Sequence, residues 1–303
     1  MTPEIVPAEA ERLLDWIAMA DAIAEGHALP RAEVDDSFLY RGSDTVLSRA
    51  AWIDGMGIAV KTATIFPGNP ERGRKAINGA VTLFSDGEGL PDALLDFHLV
   101  TKWKTAADSL LAARRLAPPR VGAILICGAG AVAASMVEAY RAAFPEARIA
   151  IWNRTRSRAE ALANEAGALL APDLAQAARS ADIICCATMT REPILQGDWL
   201  RAGQHVDLIG AYRPDMREAD DTALTRARLF VDSRGTTMGH IGELKDPLER
   251  GVISEGDVVA DYYELDRFTR DPDDITLFKN GGGAHMDLMV ARHILDRWRG
   301  REG

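Results

Sequence analysis

A chain of 303 residues that is 47% hydrophobic and 26% charged has the make-up of a globular protein, long enough for two domains and a large core. Its formal net charge of −10 argues against a general nucleic-acid partner or an anionic membrane surface. Cys127, Cys185 and Cys186 lie in apolar strand-like runs without metal-ligand spacing, no basic-then-apolar leader opens the chain, and no apolar run is long enough to span a membrane, so the expected setting is the reducing cytoplasm.

In chain order, 4–6 reads as a short strand and 8–25 as an amphipathic helix, with Leu13, Leu14, Ile17, Ala20, Ile23 and Ala24 at helical spacing. Leu29-Pro30-Arg31 ends it. Strands are expected over 46–52 and 57–66, the second carrying Lys61 after Gly57-Ile58-Ala59-Val60. Two more, 80–84 and 91–96, flank Ser85-Asp86-Gly87-Glu88-Gly89, a hairpin signal. A helix over 100–116 stops at Ala117-Pro118-Pro119.

The apolar run 123–127 then meets Gly128-Ala129-Gly130-Ala131-Val132-Ala133, a helical pattern to Ala143 and a second apolar run, 149–152. This is strand, glycine turn, helix, strand. In that context the glycines have a mechanical meaning: Gly128 makes the tight turn, Gly130 lets backbone approach a diphosphate, and Ala133 allows close helix–strand packing. Beyond Trp152 the turn reads Asn153-Arg154-Thr155, followed by Arg156 and Arg158. The carboxylate that would bind a ribose 2′-hydroxyl is absent, and guanidinium and hydroxyl groups suit a 2′-phosphate. The expected cofactor is therefore NADP(H) in preference to NAD(H).

Further strands are expected at 168–171, 182–188, 206–209, 229–231 and 275–278, alternating with helices at 158–166 and 172–180. The fold class is α/β: a Rossmann-type doubly wound parallel sheet over 118–284. A second, α+β domain spans 1–117 and is completed by a C-terminal helix over 285–303. Ligands of such sheets lie beyond the carboxyl ends of the strands. Thr188-Met189 and Lys279-Asn280-Gly281 occupy two such ends and join the cofactor set of Gly128, Ala129, Gly130, Ala131, Val132, Asn153, Arg154, Thr155 and Arg158. The six histidines form no ligand cluster, so no metal is expected. His240 and His285 read as packed or surface residues.

The order of short motifs resembles the ornithine cyclodeaminase/mu-crystallin family over nearly the whole chain. Those motifs are Lys61 leading into Pro67-Gly68-Asn69, the hairpin 85–96, Lys102-Trp103-Lys104-Thr105-Ala106-Ala107, the glycine turn with Asn153-Arg154-Thr155, Ala187-Thr188 before Pro193, Gly210-Ala211 before Arg213-Pro214-Asp215, and Ile275-Thr276-Leu277-Phe278-Lys279. The resemblance implies a homodimer formed through the non-nucleotide domain, which also binds the substrate. It also implies carboxylate-binding roles for Arg31 and Lys61. Lys104 stands where the family carries Arg, keeping the charge but losing the planar fork, and is open to either substrate or cofactor phosphate. Asn280 stands where Ser is common. At Tyr212 the family's cyclodeaminases have an Asp that handles the substrate amine; Tyr212 matches the ketimine-reductase form, and Asp215 reads as structural.

The resulting expectation is NADPH-dependent reduction of a cyclic α-imino acid, Δ1-pyrroline-2-carboxylate or Δ1-piperideine-2-carboxylate, to L-proline or L-pipecolate. Arg31, Lys61 and Lys104 would grip a small imino or amino acid by its carboxylate. The alternatives are an ornithine cyclodeaminase or amino-acid dehydrogenase of the same family, and a non-catalytic NADPH-binding protein.

Overall fold

Period-two apolar patterning in the first third of the chain produces antiparallel strands, and the glycine-punctuated remainder produces parallel ones. A computed structural model describes residues 2–300. The chain opens with β1 (Glu4–Val6), a 3-10 turn over Ala8–Leu13 and α1 (Trp16–His27). There follow β2 (Glu33–Arg41), β3 (Asp44–Ile53), β4 (Gly57–Ile65), β5 (Ile77–Phe84), β6 (Pro91–Asp96) and α2 (Phe97–Leu116). The predicted helix over 8–25 is therefore two pieces. Leu14 is extended, and the Asp15 carboxylate accepts a bond from Ala18 N at 2.9 Å, starting a fresh helix. Helix α2 begins at Phe97 rather than Val100 because Asp96 Oδ1 accepts from Leu99 N at 2.8 Å.

The second series is β7 (Ala123–Cys127), α3 (Ala131–Ala143), β8 (Arg148–Trp152), α4 (Arg156–Ala166), β9 (Leu169–Leu170), α5 (Leu174–Ser180), β10 (Ile183–Cys186) and β11 (His205–Leu208). It continues with α6 (Asp221–Arg226), β12 (Arg228–Val231), α7 (Arg234–Thr237), α8 (Gly242–Glu249), β13 (Val258–Ala260), β14 (Thr276–Lys279) and α9 (Ala284–Arg299). Neither β2 nor β13 is foreseen from the sequence. Every residue of β2 is exposed, so it lacks alternation between a buried and a solvated face, and β13 has only three residues.

The chain divides into two compact units, one from the N terminus to Lys104 joined by the residues from Gly283 onward, the other Thr105–Gly282. The line falls inside α2 rather than after it. The later turns of α2 are bonded into the second unit: Leu116 O accepts from Thr276 Oγ1 and Arg270 Nη1, both at 3.0 Å, and Ser109 Oγ donates to Asp207 at 2.9 Å.

Within the first unit, the described strands form one six-stranded sheet in the order β1-β6-β5-β4-β3-β2. Only the β1–β6 pair is parallel. Helix α9 packs on β3, β4 and α1 and buries Met286, Met289, Val290 and Ile294. Each such side chain contributes roughly 1.5–3 kcal/mol of hydrophobic stabilisation. Alternation along β4 puts Lys61 on the same buried face as Ala59 and Ala63.

Within the second unit, eight described strands pair in parallel in the order β13-β12-β14-β11-β10-β7-β8-β9. Their inward apolar positions, including Leu125, Ile184, Val206, Leu229 and Leu277, form one core. Cys127, Cys185 and Cys186 are buried free thiols.

Candidate functional site

In the second unit the apolar strand β7 delivers the chain to Gly128. That residue has φ 131°, and its N–H donates to Trp152 O at 2.8 Å. A Cβ there would lie 2.6 Å from Ala187 O, so only glycine fits. Gly130, the N-cap of α3, is exposed, and nothing lies within 4 Å of where its Cβ would be. Ala131 and Val132 begin the helix exposed, whereas Ala133 is fully buried against the sheet. Open backbone, unbonded first-turn N–H groups and the positive end of the helix dipole together fit a diphosphate.

The end of β8 supplies the neighbouring part. Asn153 Nδ2 donates to Thr155 O at 3.0 Å and shapes the turn. Arg154, Thr155 and Arg158 are exposed. A pocket of about 190 Å³ opens here, lined by Trp152, Asn153, Arg154, Arg156, Leu170 and Pro172 among others. Its lining includes two arginines and no carboxylate, and takes Arg156 rather than Arg158. Glu160 pairs with Arg156 at 2.8 Å.

On the other side of β7, the ends of β10 and β11 converge on a buried acid that sequence reasoning missed. Glu218 accepts from Thr188 N and Thr188 Oγ1, both at 2.7 Å, and from Gly210 N and Ala211 N at 2.6 and 3.2 Å. Burial pushes its carboxyl up to about 7, with Lys279 opposing and Glu243 reinforcing the rise. Met189 and Tyr212 are exposed at these two strand ends.

The other predicted strand end is more internal than expected. Lys279 is fully buried and donates to Leu208 O at 2.9 Å. Asn280 Nδ2 donates to Thr105 O at 3.1 Å and Ser109 Oγ at 3.0 Å. Gly281 N donates to Asp232 at 2.8 Å. The side-chain donors of Lys279 and Asn280 thus serve the unit's interior.

In the first unit, Lys61 Nζ lies 2.8 Å from Asp287 Oδ1, and both groups are buried. The Phe97 ring lies 4.9 Å from the ammonium. Burial lowers the Lys61 pKa; Asp287 opposes this, while Lys104 and Arg49 add to it. Burial alone would raise Asp287, but Lys61, Lys104 and Arg49 hold it below the ordinary carboxylate range.

Lys104, on α2, is buried as well. Arg49 sits directly opposite Lys61 in the β3–β4 register and forks onto Asp36 at 3.1 and 2.8 Å. His285 packs edge-on to His27, ring centroids 5.2 Å apart. Burial, His27 and Lys104 push its pKa down to about 3, so it is neutral near pH 7. Lys61 and Lys104 therefore belong to one buried cationic neighbourhood, whereas Arg31 is exposed between α1 and β2. Among the described residues no cluster of His, Cys, Asp or Glu is suited to a metal ion, and no helix is long and apolar enough to cross a membrane.

A parallel sheet with this cradle defines a dinucleotide-binding α/β enzyme. The profile of the ornithine cyclodeaminase/mu-crystallin family matches residues 50–302. The Δ1-pyrroline-2-carboxylate reductase of Paracoccus denitrificans is 47% identical over 296 residues, 94% of each chain. Mouse (Mus musculus) ketimine reductase mu-crystallin is 32% identical over 80% of this chain and 76% of its own. A solved structure of Thermococcus litoralis Δ1-pyrroline-2-carboxylate reductase, in complex with NADH and L-proline, has the same fold. Its TM-score is 0.88 at 22% identity, covering 99% of this chain and 98% of that one. The chain belongs to the ornithine cyclodeaminase/mu-crystallin family. It is an NAD(P)H-dependent oxidoreductase acting on carbon–nitrogen bonds.

Removing one partner of a buried ion pair leaves the other uncompensated. Asp287→Asn is expected to cost about 3 kcal/mol at neutral pH. The folded-state pKa of Lys61 is already depressed, so the loss is full while Lys61 is charged and shrinks as pH rises through that depressed pKa, below 10.5. Urea unfolding across neutral to alkaline pH measures this; a loss that does not change with pH would contradict it.

Proposed function

We propose that the protein uses NADPH to reduce a cyclic α-imino acid, Δ1-pyrroline-2-carboxylate or Δ1-piperideine-2-carboxylate, to L-proline or L-pipecolate. One observation carries the choice within the family. The end of β11 presents the exposed Tyr212, and the nearby Asp215 is engaged by Arg213 at 2.9 and 3.0 Å and by Arg191 at 3.0 Å. Deaminating an amino acid and closing a ring calls for a positioned base. Reducing a preformed cyclic imine calls mainly for a held carboxylate and an aligned carbon. The 47% identity to a Δ1-pyrroline-2-carboxylate reductase supports the same choice.

The roles follow from charge and burial. Lys61, oriented by Asp287, grips the substrate carboxylate with Lys104, and Arg31 is a third candidate for it. Gly128, Ala129, Gly130, Ala131 and Val132 hold the cofactor diphosphate. Asn153, Arg154, Thr155 and Arg158 receive the 2′-phosphate, with Arg156 beside them. Thr188 and Met189 border its nicotinamide half, and the backbone from Lys279 through Asn280 to Gly281 completes the sheet's ligand edge. The bound cofactor supplies hydride for the imine carbon. His285, neutral near pH 7, is a packing residue here rather than an acid.

A second copy of the chain is the expected partner. Val34, Phe38, Leu39 and Tyr40 expose apolar surface along the edge strand β2, which suits pairing through the first unit. The buried thiols Cys127, Cys185 and Cys186 suit a reducing cytoplasm.

Oxidation of NADPH and NADH over a panel of cyclic and linear imino acids tests the assignment. NADPH oxidation with either cyclic substrate is the expected result. Ammonia release from ornithine with NAD, or cofactor binding without turnover on any imine, would overturn it. For cofactor choice, Arg154→Ala is expected to raise KM for NADPH about tenfold, the scale of one lost charge-assisted bond, and to leave KM for NADH unchanged. Equal effects on both cofactors would remove Arg154 from the 2′-phosphate site.

A further inference from the structure

The sheet order places β10 and β11 on one side of β7 and β8 on the other. With the diphosphate at the end of β7 and the adenosine end at β8, a dinucleotide extends its nicotinamide half toward the ends of β10 and β11. This step rests on the cofactor reading above. The two ends are Thr188-Met189 and Gly210-Ala211-Tyr212, and they are packed unusually close. A Cβ on Gly210 would lie 2.0 Å from Thr188 O and 2.2 Å from Thr188 N.

A single carboxylate joins them. Oε1 of Glu218 takes both donors of Thr188, and Oε2 takes the N–H groups of Gly210 and Ala211. The backbone of Glu218 is fixed in turn, because its N–H and that of Ala219 donate to Glu243, in the first turn of α8, at 2.7 and 3.0 Å. Glu218 and Glu243 are both fully buried. An acid so placed is costly to keep unless its acceptors are needed.

We propose that Glu218 is a positioning residue for the nicotinamide end of the cofactor. It sets the spacing of the two strand ends. It also commits the Thr188 hydroxyl to donate inward, which leaves Oγ1 with only lone pairs to offer a ligand. That polarity matches the N–H donors of a carboxamide. Glutamine at 218 cannot substitute, since its amide nitrogen would meet one of the two donor sets with a donor of its own.

The test compares two ligands on the purified full-length protein. NADPH carries the nicotinamide; 2′-phospho-ADP-ribose carries everything else. Glu218→Gln is expected to weaken NADPH binding about tenfold and to lower kcat by a similar factor, with the binding of 2′-phospho-ADP-ribose held within about twofold. If that variant is too unstable to assay, Thr188→Val, which deletes only the hydroxyl, is expected to show the same selective loss. Equal weakening of both ligands, or no weakening of either, would overturn the role of Glu218. NADH with ADP-ribose replaces the pair should NADH bind more tightly. A wild-type protein that binds none of the four would overturn the cofactor reading itself.

Discussion

Three strand ends meet at Gly128. Its N–H closes onto the carbonyl ending β8, and the carbonyl of Ala187, just past β10, approaches so nearly that a side chain has no room. The left-handed backbone there, φ 131°, turns the chain sharply enough to start α3 at Gly130. The glycine turn, the Asn153-Arg154-Thr155 turn at β8 and the strand ends at β10 and β11 all depend on this one close approach. Adding a methyl group would separate the strands that give those parts their relative positions.

Buried charge is the second constraint. Lys61, Asp287, Glu218, Glu243 and Lys279 are each buried, at an effective cost of several kcal/mol per ion before pairing. Well-packed apolar residues of similar volume are often at least as stabilising. Their presence is best understood through what they hold. The Lys61–Asp287 pair fixes an ammonium within a cationic neighbourhood, and Glu218 with Glu243 fixes two strand ends. In both cases the acid sets the geometry of the groups it bonds, an ammonium in one and the donors of two strand ends in the other.

Much of the architecture was legible from residue order. Alternation located β3 to β6, the glycine turn located β7, α3 and β8, and Ala117-Pro118-Pro119 marked the end of α2. The failures have local causes. Asp15 looks like one more surface acid within a helical pattern, yet its carboxylate caps a new helix. β2 has no buried face to generate a period, and its strand character comes from pairing with β3. Arg31, Lys61 and Lys104 looked alike as candidate cations; burial separates the last two from the first.

The sequence by itself determined the class of the fold and the glycine turn between β7 and α3, because both are written in contiguous residues whose backbone preferences are local. It also determined the departures at Lys104 and Tyr212, which are matters of residue identity. Only the tertiary structure decided the partners of the buried charges. Asp287 reaches Lys61 across 226 positions, and Glu218 reaches Thr188 across 30. A buried acid and a solvated one are the same letter in a sequence; the difference between them is the dielectric and the donors that folding brings around the carboxylate.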